Sequence, residues 1–206
     1  MSGGIPSMAC RALLSAGLLF SVLAALPSPA QEILKSERLL VFPEASWQVA
    51  RRESKPTLTM VEYVPKGETV ENWTRMLTVQ VFSGDQTPLA TWGERFRSGF
   101  PVRWNCEPRQ LISSVSGRKN GYEWMRFIAI CNRNRANNLG EFALLQFMRG
   151  RDNFFVVQRA WRGPAFAQTV APIPADEFQE WLAFMDKVAI CDTRYAENPC
   201  PADAPK

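Results

Sequence analysis

The chain is 206 residues long, with 24 Lys and Arg against 20 Asp and Glu and no histidine at all. Without an imidazole, Ser-His-Asp and Cys-His catalysis and the common zinc-hydrolase sites are excluded, and a formal charge of +4 is too modest to suggest a nucleic-acid binder. The basic residues are concentrated in the middle: residues 95–162 hold 13 Lys and Arg against 4 acids, residues 31–94 hold 7 against 9, and residues 163–206 hold 3 against 7.

The N-terminus carries one cation, Arg11, and then runs uncharged from Ala12 to Leu26. That is shorter than the roughly 20 residues a membrane span needs. Pro27 and Pro29 break the helix, and Ser28 and Ala30 offer the small side chains that signal peptidase requires. Residues 1–30 are therefore read as a cleaved signal peptide, with a permanent anchor as the rival reading, and residues 31–206 as one domain in the periplasm or secreted. Cys10 leaves with the signal, so Cys106, Cys131, Cys191 and Cys200 remain as an even set for an oxidising compartment. Three pairings are possible, and Cys106 with Cys131 and Cys191 with Cys200 is favoured because each closes a local loop. The second would tie down a tail over residues 191–206. A four-thiolate zinc site is the alternative, but no Cys-x-x-Cys pair supports it. Neither metal nor cofactor is expected.

Residues 31–45 read as a lead-in, with regular structure starting at Trp47. Thr57–Val64 and Met76–Phe82 have strand length and β-branched, apolar composition. Around Thr87 the period changes: Pro88 suits a first helical turn, and Leu89, Trp92, Phe96 and Phe100 recur at helical spacing up to Pro101. Four strands follow at Gln110–Ser116, Tyr122–Cys131, Glu141–Arg149 and Phe154–Arg162, separated by turns rich in Gly and Asn. After Pro164, Pro172 and Pro174 a final helix is expected to run to about Ile190. Its first turn is acidic at Asp176, Glu177 and Glu180, and Phe178, Trp181, Leu182, Met185 and Val188 form its apolar stripe.

Strands joined by short turns must be largely antiparallel, so the expected class is α+β: a largely antiparallel sheet with two amphipathic helices packed on one face. The element order, with Gly67-Glu68-x-x-x-x-Trp73-x-x-x-x-Thr78-x-Gln80-x-Phe82, resembles that of small exported PsbP-like α-β-α sandwich proteins. The resemblance spans most of residues 31–206. It implies a binding or assembly role and brings no catalytic residue with it.

Motifs for chemistry are few. Ser116-Gly117-Arg118-Lys119 has the spacing of penicillin-recognising enzymes, whose serine must open a helix; the surrounding glycines place these four in a turn instead. Glu68 with Glu71, or Asp176, Glu177 and Glu180, offer carboxylates for glycoside hydrolysis, although solvated helix starts explain them as well. Asn72-Trp73-Thr74 is a glycosylation sequon of use only in a eukaryotic secretory pathway. The strands say more. If they align, Glu62, Gln80, Arg126, Gln146 and Gln158, with Trp124, form a polar ladder on the sheet face away from the helices. Such a ladder is either a solvated outer face or a recognition cleft. Arg118, Lys119, Arg133, Arg135, Arg149, Arg151, Arg159 and Arg162 fall at strand ends and turns, two opposite tips sharing them. The expected function is an exported, non-catalytic binding or accessory protein of the bacterial envelope. Its partner would be an envelope protein or an anionic envelope component, with no nucleic acid and no transmembrane segment after signal cleavage. The alternative is a hydrolase of cell-wall glycan or peptide with a His-free carboxylate or Ser/Lys site.

Overall fold

A computed structural model describes residues 37–103, 105–107, 109–167 and 172–201; the expected signal peptide, Cys10 and the last residues of the expected tail lie outside them. Seven strands form one antiparallel sheet: β2 (Trp47–Lys55), β3 (Leu58–Pro65), β4 (Arg75–Ser83), β5 (Arg109–Lys119), β6 (Tyr122–Cys131), β7 (Leu139–Arg149) and β8 (Asn153–Pro164), in spatial order β2-β3-β4-β8-β7-β6-β5. A second, two-stranded antiparallel sheet pairs β1 (Glu37–Leu40) with β9 (Ala189–Asp192). The helices are α1 (Leu89–Arg103) and α2 (Ala175–Lys187).

The α+β class and the antiparallel sheet are as the sequence led us to expect. The placement of the helices is not. Alternation along each strand sends neighbouring side chains to opposite faces, and both faces are apolar. On β7, Ala143, Leu145 and Phe147 join a core with Trp92 and Phe96 of α1, whereas Phe142, Leu144 and Met148 join another with Trp181 and Met185 of α2. The two helices therefore cover different faces, correcting the expectation of a single covered face. Phe154 and Phe155 repeat the split on β8. The continuous apolar runs of β7 and β8, Ala143-Leu144-Leu145 and Phe154-Phe155-Val156-Val157, belong to strands buried on both sides.

Local chemistry starts and stops these elements. Asp85 accepts hydrogen bonds from the Thr87 backbone N–H at 2.8 Å and from the Trp92 indole at 3.1 Å. It thereby fixes the start of α1 and seats Trp92 flat on Phe154, with ring centroids 4.6 Å apart. Gly93 lets α1 approach β6, since a Cβ there would lie 2.9 Å from the Met125 sulfur. The β5–β6 hairpin closes through Asn120 and Gly121, both at positive φ, as a tight two-residue turn requires. For this reason β5 continues through Gly117 and Arg118 to Lys119 and the turn is shorter than expected.

Helix α2 carries Asp176 and Glu177 at its N-terminus and Lys187 in its last turn, complementing the helix dipole. Trp181 and Met185 are 1% and 0% exposed, and each such burial is worth roughly 1.5–3 kcal/mol. The helix ends at Lys187, earlier than Ile190, because residues 189–192 leave to pair with residues 37–40. The same pairing puts a strand inside the expected lead-in. Both favoured cysteine pairs are bonded: Cys106–Cys131 at 2.07 Å and Cys191–Cys200 at 2.01 Å. Among the described residues no helix is long and apolar enough to cross a membrane.

Candidate functional site

Register decides where the expected polar ladder goes. Thr78 of β4 stands between Glu62 of β3 and Gln158 of β8, while Gln158 is paired with Leu145 on β7, and Gln146 with Val157. Adjacent paired residues share a face, so Gln146 and Gln158 point to opposite sides. The six candidates thus divide into two sets of three. Glu62, Gln80 and Gln158 are brought together on the α1 face; Trp124, Arg126 and Gln146 lie on the α2 face. A single ladder is ruled out by one residue of register that the sequence does not display.

On the α2 face the polar groups satisfy one another. Arg126 is 8% exposed and Gln146 1%; the Arg126 Nε donates to Gln146 Oε1 at 2.5 Å, its Nη2 reaches Asp186 of α2 at 2.7 Å, and its guanidinium stacks over Trp124 at 4.6 Å. Arg159, the other buried cation of this face, is paired with Glu44 at 2.8 Å and packed against Trp47, Trp181 and Phe184. Burial pulls its pKa down, and Glu44, the nearest of the carboxylates that oppose the shift, pulls it back. These residues fasten α2 and the segment before β2 to the sheet.

The α1 face is covered only in part. Trp92 and Phe96 pack on Phe127, Phe147 and Phe154, leaving a groove of about 440 Å3 over β3, β4 and β8 on the same face. Met60, Trp73 and Met76 supply its apolar wall, with Glu62, Thr78, Gln80 and Gln158 along the strands and Arg51, Glu71 and Arg162 around them. Arg162 is engaged already: it sits over Trp73 at 4.0 Å and pairs with Glu141 at 2.8 Å. Among the described residues the Gln80 amide hydrogen-bonds to the Met60 sulfur alone, at 3.5 Å. Glu62 is different. Its side chain is 15% exposed and its nearest cation, Arg51, stands 4.0 Å away. Burial raises the Glu62 pKa above the ordinary carboxylate value, Arg51 opposes that rise, and Glu53 adds to it. A partly desolvated carboxylate with a weak partner, in a cleft, is the kind of group that marks a functional site.

Trp73, Thr78, Met76 and Arg162 were not among the expected site residues. Trp73 and Thr78 stand in the Gly-Glu…Trp…Thr-x-Gln pattern, which was the available signal. Glu68 of that pattern serves the loop, accepting from both the backbone N–H and the hydroxyl of Thr74 at 2.7 Å. Glu177 forks with Arg75, one bond at 2.7 Å. Ser116 and Lys119 both lie on β5, so the lysine has no helical turn that would bring it to the serine.

The arginines divide between two tips of the sheet, as expected for most of them. Arg135 pairs with Glu107 at 2.7 Å at one end; Arg118, Arg149 and Arg151 gather at the other. Among the described residues no group of three or more His, Cys, Asp or Glu is placed to hold a metal ion.

A protein-family model matches residues 34–98, a stretch that contributes Arg51, Glu62, Thr78 and Gln80 to the groove. No curated protein matches the chain. Among solved structures, a point mutant of the protein Mog1 is similar at 10% sequence identity, over 75% of this chain and 92% of that one, with a TM-score of 0.44.

Proposed function

We propose that the protein is an exported, non-catalytic binding or accessory protein of the bacterial cell envelope, and that it takes a segment of a partner protein in the groove on the α1 face. The observation that carries this reading is the contrast within one cleft: an apolar wall of Met60, Trp73 and Met76 beside the Glu62 carboxylate, which burial has made more basic. Such a mixture of apolar surface and a few polar groups is what ligand sites are made of. Glu62 accepts, so the matching segment brings donors, a cationic side chain or backbone amides, to Glu62 and Gln158. Two disulfides fit an oxidising compartment, in keeping with the signal peptide read at residues 1–30.

The test is capture from envelope extract with the full chain, comparing wild type with Glu62→Gln and Gln158→Leu, and with Arg126→Met as a control on the opposite face. A partner retained by the wild type and the control but lost from both groove variants supports the proposal. Identical profiles for all four proteins overturn it. A hydrolase reading keeps one observation in its favour, that Glu62 and Glu71 line the same groove. Purified peptidoglycan incubated with the protein and left without products by mass spectrometry removes it.

A further inference from the structure

Along the floor of the groove, Glu62, Thr78 and Gln158 stand side by side on β3, β4 and β8. Directly paired residues on neighbouring strands share a face, so all three side chains point into one cleft, and all three are partly exposed rather than sealed. Among the described residues neither the Thr78 hydroxyl nor the Gln158 amide enters a hydrogen bond. Glu62 has only the Arg51 guanidinium, at 4.0 Å.

The two cations that line the groove are committed to other carboxylates. Arg51 is paired with Glu53 at 2.8 Å. Arg162 is paired with Glu141 at 2.8 Å, and its guanidinium lies over Trp73. Glu71, on the rim, is exposed and forms no ion pair among the described residues. The cleft is therefore left with two carboxylates, Glu62 and Glu71, that no cation contacts closely. A partly desolvated carboxylate without a close partner is costly, and an incoming cation removes that cost.

The row of acceptors distinguishes one cation from another. An ammonium is a point charge with three donors, whereas a guanidinium carries five in a planar fork. Two of its N–H groups can take the Glu62 carboxylate together. The others then face the Thr78 hydroxyl and the Gln158 amide oxygen, on strands spaced about 4.8 Å apart. Met60 and Val70, both half-buried in the same groove, offer apolar surface for the aliphatic stem of the incoming side chain.

We propose that the partner segment is read through one arginine side chain, seated on Glu62 with Thr78 and Gln158 beside it. This rests on the reading of the groove as a site for a protein segment, and narrows the required group from any donor to a guanidinium.

The experiment is selection of a phage-displayed random peptide library on the purified full chain. The enriched sequence is then titrated as a synthetic peptide carrying arginine, lysine or citrulline at the enriched position; citrulline keeps the shape of arginine and removes its charge. Arginine is expected to be enriched at one position. The lysine and citrulline peptides are expected to bind the wild type at least about tenfold more weakly, a factor that corresponds to about 1.4 kcal/mol. Glu62→Gln is expected to close the gap between arginine and citrulline, and Gln158→Leu to narrow the gap between arginine and lysine, while Arg126→Met on the opposite face keeps the wild-type order. Gaps unchanged in both groove variants overturn the proposal. Peptides captured without a preference for arginine, yet lost from Glu62→Gln, overturn it and leave the segment-binding reading standing. A library from which no sequence is enriched overturns both.

Discussion

The two faces of the central sheet are built from the same kinds of residue and put them to different use. Each mixes aromatic and aliphatic side chains with a few glutamines, arginines and glutamates. On the α2 face the helix lies over them, so Arg126 and Arg159 must find carboxylates, and they do, in Asp186 and Glu44. On the α1 face the helix stops short, Glu62 keeps only a cation at 4.0 Å, and the same residue types are left facing an open groove. The lesson is that a polar residue on a strand acquires its role from what covers it. Burying an ion is expensive unless it is paired, so coverage forces pairing, and the uncovered half of a face is where unsatisfied chemistry persists.

The comparison can be broken most severely at Trp181. Trp181→Ala is expected to cost about 3–5 kcal/mol of stability in denaturant unfolding, as large-to-small changes in a closed core do. A cost below about 1 kcal/mol would mean that the α2 face is not the closed one. Arg126→Ala leaves the buried Gln146 without its partner and Asp186 without its cation, and about 2–3 kcal/mol is expected with partner capture unchanged. Capture lost at unchanged stability would reverse the assignment of the two faces.

Glu62→Gln sharpens the contrast through pH. Because the folded-state pKa of Glu62 is raised, its favourable contribution is complete below the ordinary carboxylate pKa and is lost as pH rises through the folded value. The variant is therefore expected to unfold at a higher temperature than wild type near pH 7, the advantage shrinking as both are acidified through the carboxylate range. An advantage that grows on acidification would place Glu62 in a strong ion pair instead. The smallest effect is expected on the outer surface of α1, where the Glu94–Arg97 pair is exposed on both sides: Glu94→Ala should change stability by less than about 0.5 kcal/mol.

Much of this molecule was legible in its residues. Tyr122–Cys131 was bounded to the residue because β-branched and aromatic side chains fill it between two polar turns. The local cysteine pairings followed from spacing and the proline-rich surroundings of Cys200. What escaped was set by contacts distant in sequence. Val188 to Ile190 continues the apolar stripe of α2, and only pairing with residues 37–40 makes residues 189–192 a strand. Gln146 and Gln158 look equivalent on adjacent strands, but a side-chain period of two makes the face depend on register. The groove itself was half readable: Glu62, Gln80 and Gln158 stood out as polar positions in apolar strands, whereas Trp73 and Arg162 come from a loop and a strand end whose position over the sheet no local pattern reveals.

The pairing of β1 with β9 has a consequence for how the domain is made. The first and last strands among the described residues are neighbours, and Glu37 at the start of β1 also holds the backbone of the β7–β8 turn. The two ends of the seven-stranded sheet, β2-β3-β4 and β5-β6-β7-β8, can assemble hairpin by hairpin from contacts close in sequence; β4 must then reach β8 across α1 and three strands, and the clasp that ties residue 37 to residue 192 spans more of the chain still. Contacts of such long sequence separation form slowly. Amide hydrogens of β1 and β9 should therefore be the last to gain protection during refolding, and Cys191–Cys200 would fasten a seam that closes after the body of the protein is in place.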